Sequence, residues 1–183
     1  MTTLASQLTR TPRIFQSEQA QDARALFPDL APELSELVAG AGSTSPYLLG
    51  LMQKETDWCA AAFTDPEAAV HTVISRLAEV PPDQLAQQLR QAKRRVALMT
   101  GLADLAGAWP LEQVTGILTR LADAACSAAL TSALRTQIKR GKLPGMSEID
   151  AESGAGMTVL AMGKMGAAEL NYSSDIDLIC LFD

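Results

Sequence analysis

Residues 157–183 read MTVLAMGKMGAAELNYSSDIDLICLFD. An apolar run of strand type, MTVLAMG, ends in Gly163; a turn or short helical segment follows, and DIDLICLFD closes the stretch. Successive side chains of a strand point to opposite faces. Ile176, Leu178, Cys180 and Phe182 therefore share one wholly apolar face, which is expected to be buried. Asp175, Asp177, Ile179, Leu181 and Asp183 share the other, with two acids at its N-terminal end. Carboxylates two residues apart on a strand stand roughly 6–7 Å from each other. Like charges at that distance repel, and a cation between them relieves the repulsion. Mg2+ suits the position, because it takes one or two carboxylates together with substrate phosphate oxygens. This is the layout of metal-assisted phosphoryl or nucleotidyl transfer. An acid pair at a strand start also serves as a cap or a solvated edge, so the spacing alone leaves both readings open.

The run before it narrows the choice. Gly163-Lys164-Met165-Gly166 follows the first apolar run. Glycine at a strand end lets backbone approach a phosphate closely, and N–H groups exposed there can cradle it. Lys164 adds a point charge suited to phosphate. Strand, glycine turn and D-x-D strand in this order resemble the nucleotidyltransferase superfamily of the DNA polymerase β type. Lys164 stands where that superfamily usually carries Ser. At closer range, AMGKMGAAELNYSSDIDLICLFD, residues 161–183, resembles the first catalytic motif of the bifunctional glutamine synthetase adenylyltransferase/adenylyl-removing enzymes. Gly163, Lys164, Gly166, Glu169, Leu170, Asn171, Ser173, Ser174, Asp175, Ile176, Asp177 and Leu178 fit the pattern. LRQAKRRVALMTGLADLAGAWPLEQVTGILTRLADAA, upstream, resembles the helical segment before that motif more loosely.

The resemblance implies a function. One half of such an enzyme removes AMP from a glutamine synthetase tyrosine by phosphorolysis, and the other adds AMP from ATP. The Asn-x-Ser-Ser-Asp-Ile-Asp form resembles the N-terminal, removing half. Asp175 and Asp177 are then the catalytic pair and the Mg2+ ligands. Gly163, Lys164 and Gly166 contact phosphate oxygens; Ser173 and Ser174 cap local N–H groups near the turn or contact phosphate. Adenylylated glutamine synthetase, phosphate, ADP, ATP and the PII regulatory protein are the implied partners. The superfamily takes a third carboxylate from a later strand. Asp183, six residues beyond Asp177 and about 20 Å away along a strand, is too far to join the pair. The chain therefore reads as a fragment, expected to be inactive alone. Two other readings stand beside this one: a non-catalytic helical module that docks glutamine synthetase or PII, and the same fold run in the adenylylating direction with ATP.

Outward from the motif, the rest is helical in pattern. Residues 1–16 read as a mobile lead-in, 17–141 as a helical domain, 142–156 as a linker and 157–183 as a truncated nucleotidyltransferase domain. The fold class is mainly α, a helical domain followed by the first two strands of an α+β domain. Asp29 with Pro32, Ser45-Pro46, Asp65-Pro66 and Pro81-Pro82-Asp83 read as helix starts, and Gly40-Ala41-Gly42 as a helix stop. Long apolar stripes predict helices over about 83–107 and 111–139, joined as an antiparallel hairpin. Residues 141–156 hold four glycines and a proline, the composition of a loop.

Composition sets outer limits. The 183 residues are 48% hydrophobic and only 4% aromatic, so the core rests on Ala, Leu, Val and Met. A net charge of −6 argues against a general nucleic-acid surface. Lys93-Arg94-Arg95 is read as a solvated helix face. The three cysteines, Cys59, Cys126 and Cys180, are far apart and have no metal-ligand spacing, and the one histidine, His71, has no nearby partner. Trp58 and Trp109 are read as packing anchors. No leader pattern and no unbroken apolar run of bilayer length is present, so a reducing cytoplasm is the expected location.

Overall fold

The structure, a computed structural model, describes residues 2–182. Among these residues the elements run α1 (Leu4–Gln7), α2 (Ser17–Ala25), α3 (Pro32–Thr44), α4 (Pro46–Lys54), α5 (Thr56–Ala62) and α6 (Pro66–Ser75). A 3₁₀ turn (Arg76–Glu79) leads to α7 (Pro82–Leu105) and α8 (Leu111–Lys139), then α9 (Glu148–Glu152), β1 (Met157–Ala161), α10 (Gly163–Gly166) and β2 (Leu178–Phe182). The chain is thus mainly α, with a two-stranded antiparallel sheet at its C-terminal end.

Proline opens α3, α4, α6 and α7, where its fixed φ suits the first turn and its missing N–H has no intrahelical acceptor to lose. The Ser45 hydroxyl accepts from the Leu48 N–H at 3.2 Å, and the Asp65 carboxylate from the Ala68 N–H at 3.1 Å, as their positions predict. Two expected caps differ. Ala31, not Asp29, precedes the first turn of α3, and Asp83 lies inside the first turn of α7, where its charge meets the positive end of the helix.

Gly40 and Gly42 do not stop α3; the helix runs on to Thr44. Both are interior glycines required by close packing. A Cβ on Gly40 would sit 2.2 Å from the Pro12 carbonyl oxygen, and one on Gly42 would sit 2.7 Å from the Ala23 Cβ. Every residue from Leu37 to Ser43 is buried, so α3 runs through the middle of the helical layer. Around it lie Met52, Val96, Leu98, Met99, Leu102 and Ile117, each at most 1% exposed. Aromatic packing is confined to a few places, such as Phe27 and Phe63, edge to face at 6.1 Å.

The long helices α7 and α8 match the expected stripes and are joined by five residues. Gly107, at φ +64, closes α7 in the left-handed conformation that glycine adopts without penalty. By length and composition α8 could cross a bilayer. In this fold its first part packs into the core through Val114, Ile117, Leu118 and Thr119, and beyond that only Leu134 is buried.

Three segments differ from expectation. The lead-in is packed: Leu4 is fully buried and its N–H donates to the Phe63 carbonyl, while the Thr9 and Arg10 N–H groups donate to the Ala106 carbonyl. The Arg10 guanidinium donates to the Leu105 and Asp104 carbonyls at the end of α7. Part of the linker is helix. The Ser147 hydroxyl and N–H both meet the Asp150 carboxylate at 2.6 Å in a capping box, and these bonds hold the Asp150 carboxyl below the usual carboxylate range. Arg135 pairs with Glu152 at 2.7 Å and ties this helix to α8. Third, the basic cluster is not a free solvated face. Arg94 and Arg95 each donate Nε at 2.8 Å to the two oxygens of Glu55, whose side chain is 3% exposed. The Arg95 guanidinium also lies 5.4 Å from the Trp58 ring centre. A lone buried carboxylate is costly, and two guanidinium groups compensate it.

Replacing both Arg94 and Arg95 by Met, which keeps the aliphatic cover, is expected to lower stability by about 3 kcal/mol; urea unfolding measures it. Thiol reactivity is expected to rank Cys180, then Cys126, then Cys59. Cys180 is exposed, Cys126 half-buried and Cys59 fully buried with its pKa pushed up to about 12 by burial. Alkylation followed by peptide mapping tests the order; native-state labelling of Cys59 as fast as Cys180 would contradict it.

Candidate active site

β1 and β2 pair from Met157 opposite Phe182 to Ala161 opposite Leu178. The next rung is kept although both strands have ended: the Met162 N–H donates to the Asp177 carbonyl at 2.9 Å. This bond places the glycine turn at 163 directly beside the acid pair. Asp175 and Asp177 thus lie in the extended entry to β2, not within it. The sheet face carrying Val159, Ala161 and Leu178 looks toward Asp123, Cys126, Ser127 and Leu130 of α8. The expected burial of the apolar face of β2 is not met, for every residue of this strand in the described chain is exposed. Two strands give little cover.

Gly163 sits at φ +56 with nothing within 4 Å of a built Cβ. The turn needs glycine for its conformation, and the open side leaves room for a ligand. Gly166 has a different reason. A Cβ there would lie 2.4 Å from the Ala161 carbonyl oxygen, so close approach to β1 accounts for it without a phosphate. Lys164 is exposed between them. Met165 turns inward, 5% exposed, and pins α10 to the core. Ala168 follows in the left-handed region at φ 60, and the Glu169 N–H returns to the Lys164 carbonyl at 2.8 Å. Glu169 itself is exposed.

From Leu170 the chain fastens to the helical layer. Leu170 is 6% exposed and its N–H donates to the Thr119 hydroxyl of α8 at 3.3 Å. That hydroxyl in turn donates to the Thr115 carbonyl. Asn171 organises the next turn: its side-chain oxygen accepts from the Ser173 N–H at 3.3 Å and the Ser174 hydroxyl at 2.6 Å. The serines were expected to cap; here the asparagine caps and the serines donate. Asn-x-Ser-Ser is itself a sequence signal for such a turn. The Tyr172 hydroxyl donates to the Asp104 carboxylate of α7 at 3.2 Å. Partial burial, for the residue is still 44% exposed, and then the Asp104 charge push the Tyr172 phenol up. Nothing in the sequence pointed to Thr119, Asp104 or Tyr172, because their partners are more than fifty residues away.

Asp175 borders a cleft of 450 Å3 between α7, α8 and this loop, with Arg90 and Lys93 on its helical side and Leu118, Leu121 and Ile176 among its apolar walls. Among the described residues neither Asp175 nor Asp177 is engaged by an ion pair or a side-chain hydrogen bond, and no third acid, histidine or cysteine joins them as a metal cluster. Two exposed, uncompensated carboxylates beside an open glycine turn fit one oxygen-seeking divalent cation with coordination positions left for phosphate oxygens. His71, on the exposed side of α6, and Trp109, buried at 4% exposure, take no part. Asp183 lies outside the described residues.

Comparison with known proteins agrees with the motif. The sequence pattern of the glutamate-ammonia ligase adenylyltransferase family matches residues 30–183. A bifunctional glutamine synthetase adenylyltransferase/adenylyl-removing enzyme of Bradyrhizobium sp. is 40% identical over 173 residues, covering 86% of this chain and 18% of the relative. Its namesake in Rhodopseudomonas palustris is 34% identical over 203 residues, covering all of this chain and 20% of the relative. In Caulobacter vibrioides the figures are 41% over 140 residues, 74% and 14%. The chain therefore spans between 14% and 20% of the length of these curated relatives. No solved structure matches it. With a family pattern that covers most of its length, and a glycine turn and acid pair set side by side in its fold, the chain belongs to the glutamate-ammonia ligase adenylyltransferase family.

Proposed function

We propose that this chain supplies the acid-pair part of the site that removes AMP from a glutamine synthetase tyrosine by phosphorolysis, with ADP as product. The observation that carries the reading is the Met162–Asp177 bond, which sets Asp177 beside the open Gly163 turn. The printed names of the relatives cover both removal and addition of AMP. The Asn-x-Ser-Ser-Asp-Ile-Asp form of residues 171–177 favours removal, because it resembles the N-terminal half of such enzymes.

Asp175 and Asp177 would hold Mg2+, which when bound would supply positive charge to the phosphate of the transferred adenylyl group. Lys164, exposed on the turn, meets a phosphate oxygen as a point charge. Gly163 leaves the space that a side chain would fill. A phosphate oxygen bonds to the adenylyl phosphorus, the bond from phosphorus to the tyrosine oxygen breaks, and the released tyrosinate takes up a proton. No protein nucleophile is required. The chain's contribution is positioning and charge neutralisation.

The test is ADP release from adenylylated glutamine synthetase with Mg2+ and phosphate, using the full-length protein that carries this segment. Asp175→Asn with Asp177→Asn is expected to lower the rate by about a hundredfold or more. Acid-dependent ATP consumption with unmodified glutamine synthetase, and no ADP release, would instead assign the adenylylating direction. Unchanged partner binding with no acid-dependent turnover in either direction would make the segment a docking module.

A further inference from the structure

The family-like pattern around the acid pair leaves position 172 open, yet the structure gives Tyr172 a specific contact. Its hydroxyl donates to Asp104 at 3.2 Å, joining the loop before the acid pair to the last turn of α7. Asp104 is itself held, because its carbonyl accepts from the Arg10 guanidinium at 2.9 Å. Two residues earlier the Leu170 N–H is fixed on Thr119 of α8. At the other end of the loop the Asp177 carbonyl is fixed by Met162. Residues 171–177 therefore span from a helical anchor to a sheet anchor, with Tyr172 fastening their first part to the helical layer and Asn171 folding the turn between.

We propose that Tyr172 is a positioning residue: held on Asp104, it keeps the Asn171–Asp177 loop against the helical layer so that both carboxylates are presented at a set separation. The inference rests on the phosphorolysis reading for its catalytic meaning but not for its geometry. Without the hydroxyl the loop keeps the Leu170 and Asp177 anchors and loses the hold on its first part, and ordering it on binding a cation then costs conformational entropy. The phenol stays protonated at neutral pH, since burial and the Asp104 charge both oppose its ionisation, so it remains a donor and not a base. The helical layer is by this account part of the catalytic unit.

The experiment pairs two readouts on Tyr172→Phe, Asp104→Ala and Asp104→Asn. Hydrogen exchange of this chain is expected to be about tenfold faster at the bonded Leu170, Ser173 and Ser174 amides in Tyr172→Phe and Asp104→Ala, with other regions unchanged. Asp104→Asn, which keeps an acceptor in place, is expected to restore most of the protection. In the full-length protein the Mg2+ concentration for half-maximal ADP release is expected to rise about tenfold in the first two variants, and the double variant to be no worse than either single one. Exchange at Leu170, Ser173 and Ser174 equal to wild type in Tyr172→Phe, or raised equally throughout the chain, would overturn the proposal. A wild-type enzyme that releases no ADP would remove the phosphorolysis reading, and the exchange result would then decide the tether alone.

Discussion

The antiparallel register of β1 and β2 determines where everything in the site stands. Pairing Ala161 with Leu178 makes Met162 and Asp177 the next rung, and their bond survives after both strands have ended. Gly163 then has to turn the chain at once, which it does at φ +56, and Gly166 has to pass the Ala161 carbonyl where no side chain fits. A shift of one residue would exchange the faces of β2 and move the acids away from the turn. The acid pair, the glycine turn and Lys164 are thus one geometric unit: backbone pairing sets Asp177 beside the turn, and side-chain contacts with the helical layer hold the loop before it.

That unit is small and leans on the helical layer. Met165 and Leu170 are buried against it, and Thr119 and Asp104 receive the loop. The layer can hold a register because α3 is buried along most of its length, packed through glycines against Pro12 and Ala23. The N-terminal segment closes the same structure from outside, through Leu4 on Phe63 and Arg10 on the end of α7. The same two helices also pack on the rest of the layer, α7 on α3, α4, α5 and α6 and α8 on α6 and α9, so the motif is fastened to their remaining surface.

Local signals were legible in the sequence, and distant partners were not. Ser45-Pro46 and Asp65-Pro66 announce their helices because capping involves residues three apart. The stripes of α7 and α8, and both strands, follow from periodicity. The glycines of α3 mislead, because glycine that lets helices approach closely looks the same as glycine that ends a helix. Arg94 and Arg95 read as a solvated face because Glu55, forty residues before, is invisible to periodicity. Tyr172, Asp104 and Thr119 escaped for the same reason. The acid pair itself was readable because the family-like motif is contiguous here, while the burial of β2 was not, since it depends on what covers the sheet.

In the proposed reading Asp175 and Asp177 form a cation site beside the glycine turn. Titration of this chain with Mn2+ in place of Mg2+, followed by the loss of the free-ion paramagnetic resonance signal, tests it most directly. One bound ion per chain is expected, lost in Asp175→Asn with Asp177→Asn while the fold is retained. Equal binding by wild type and variant, or no binding by wild type, would contradict it.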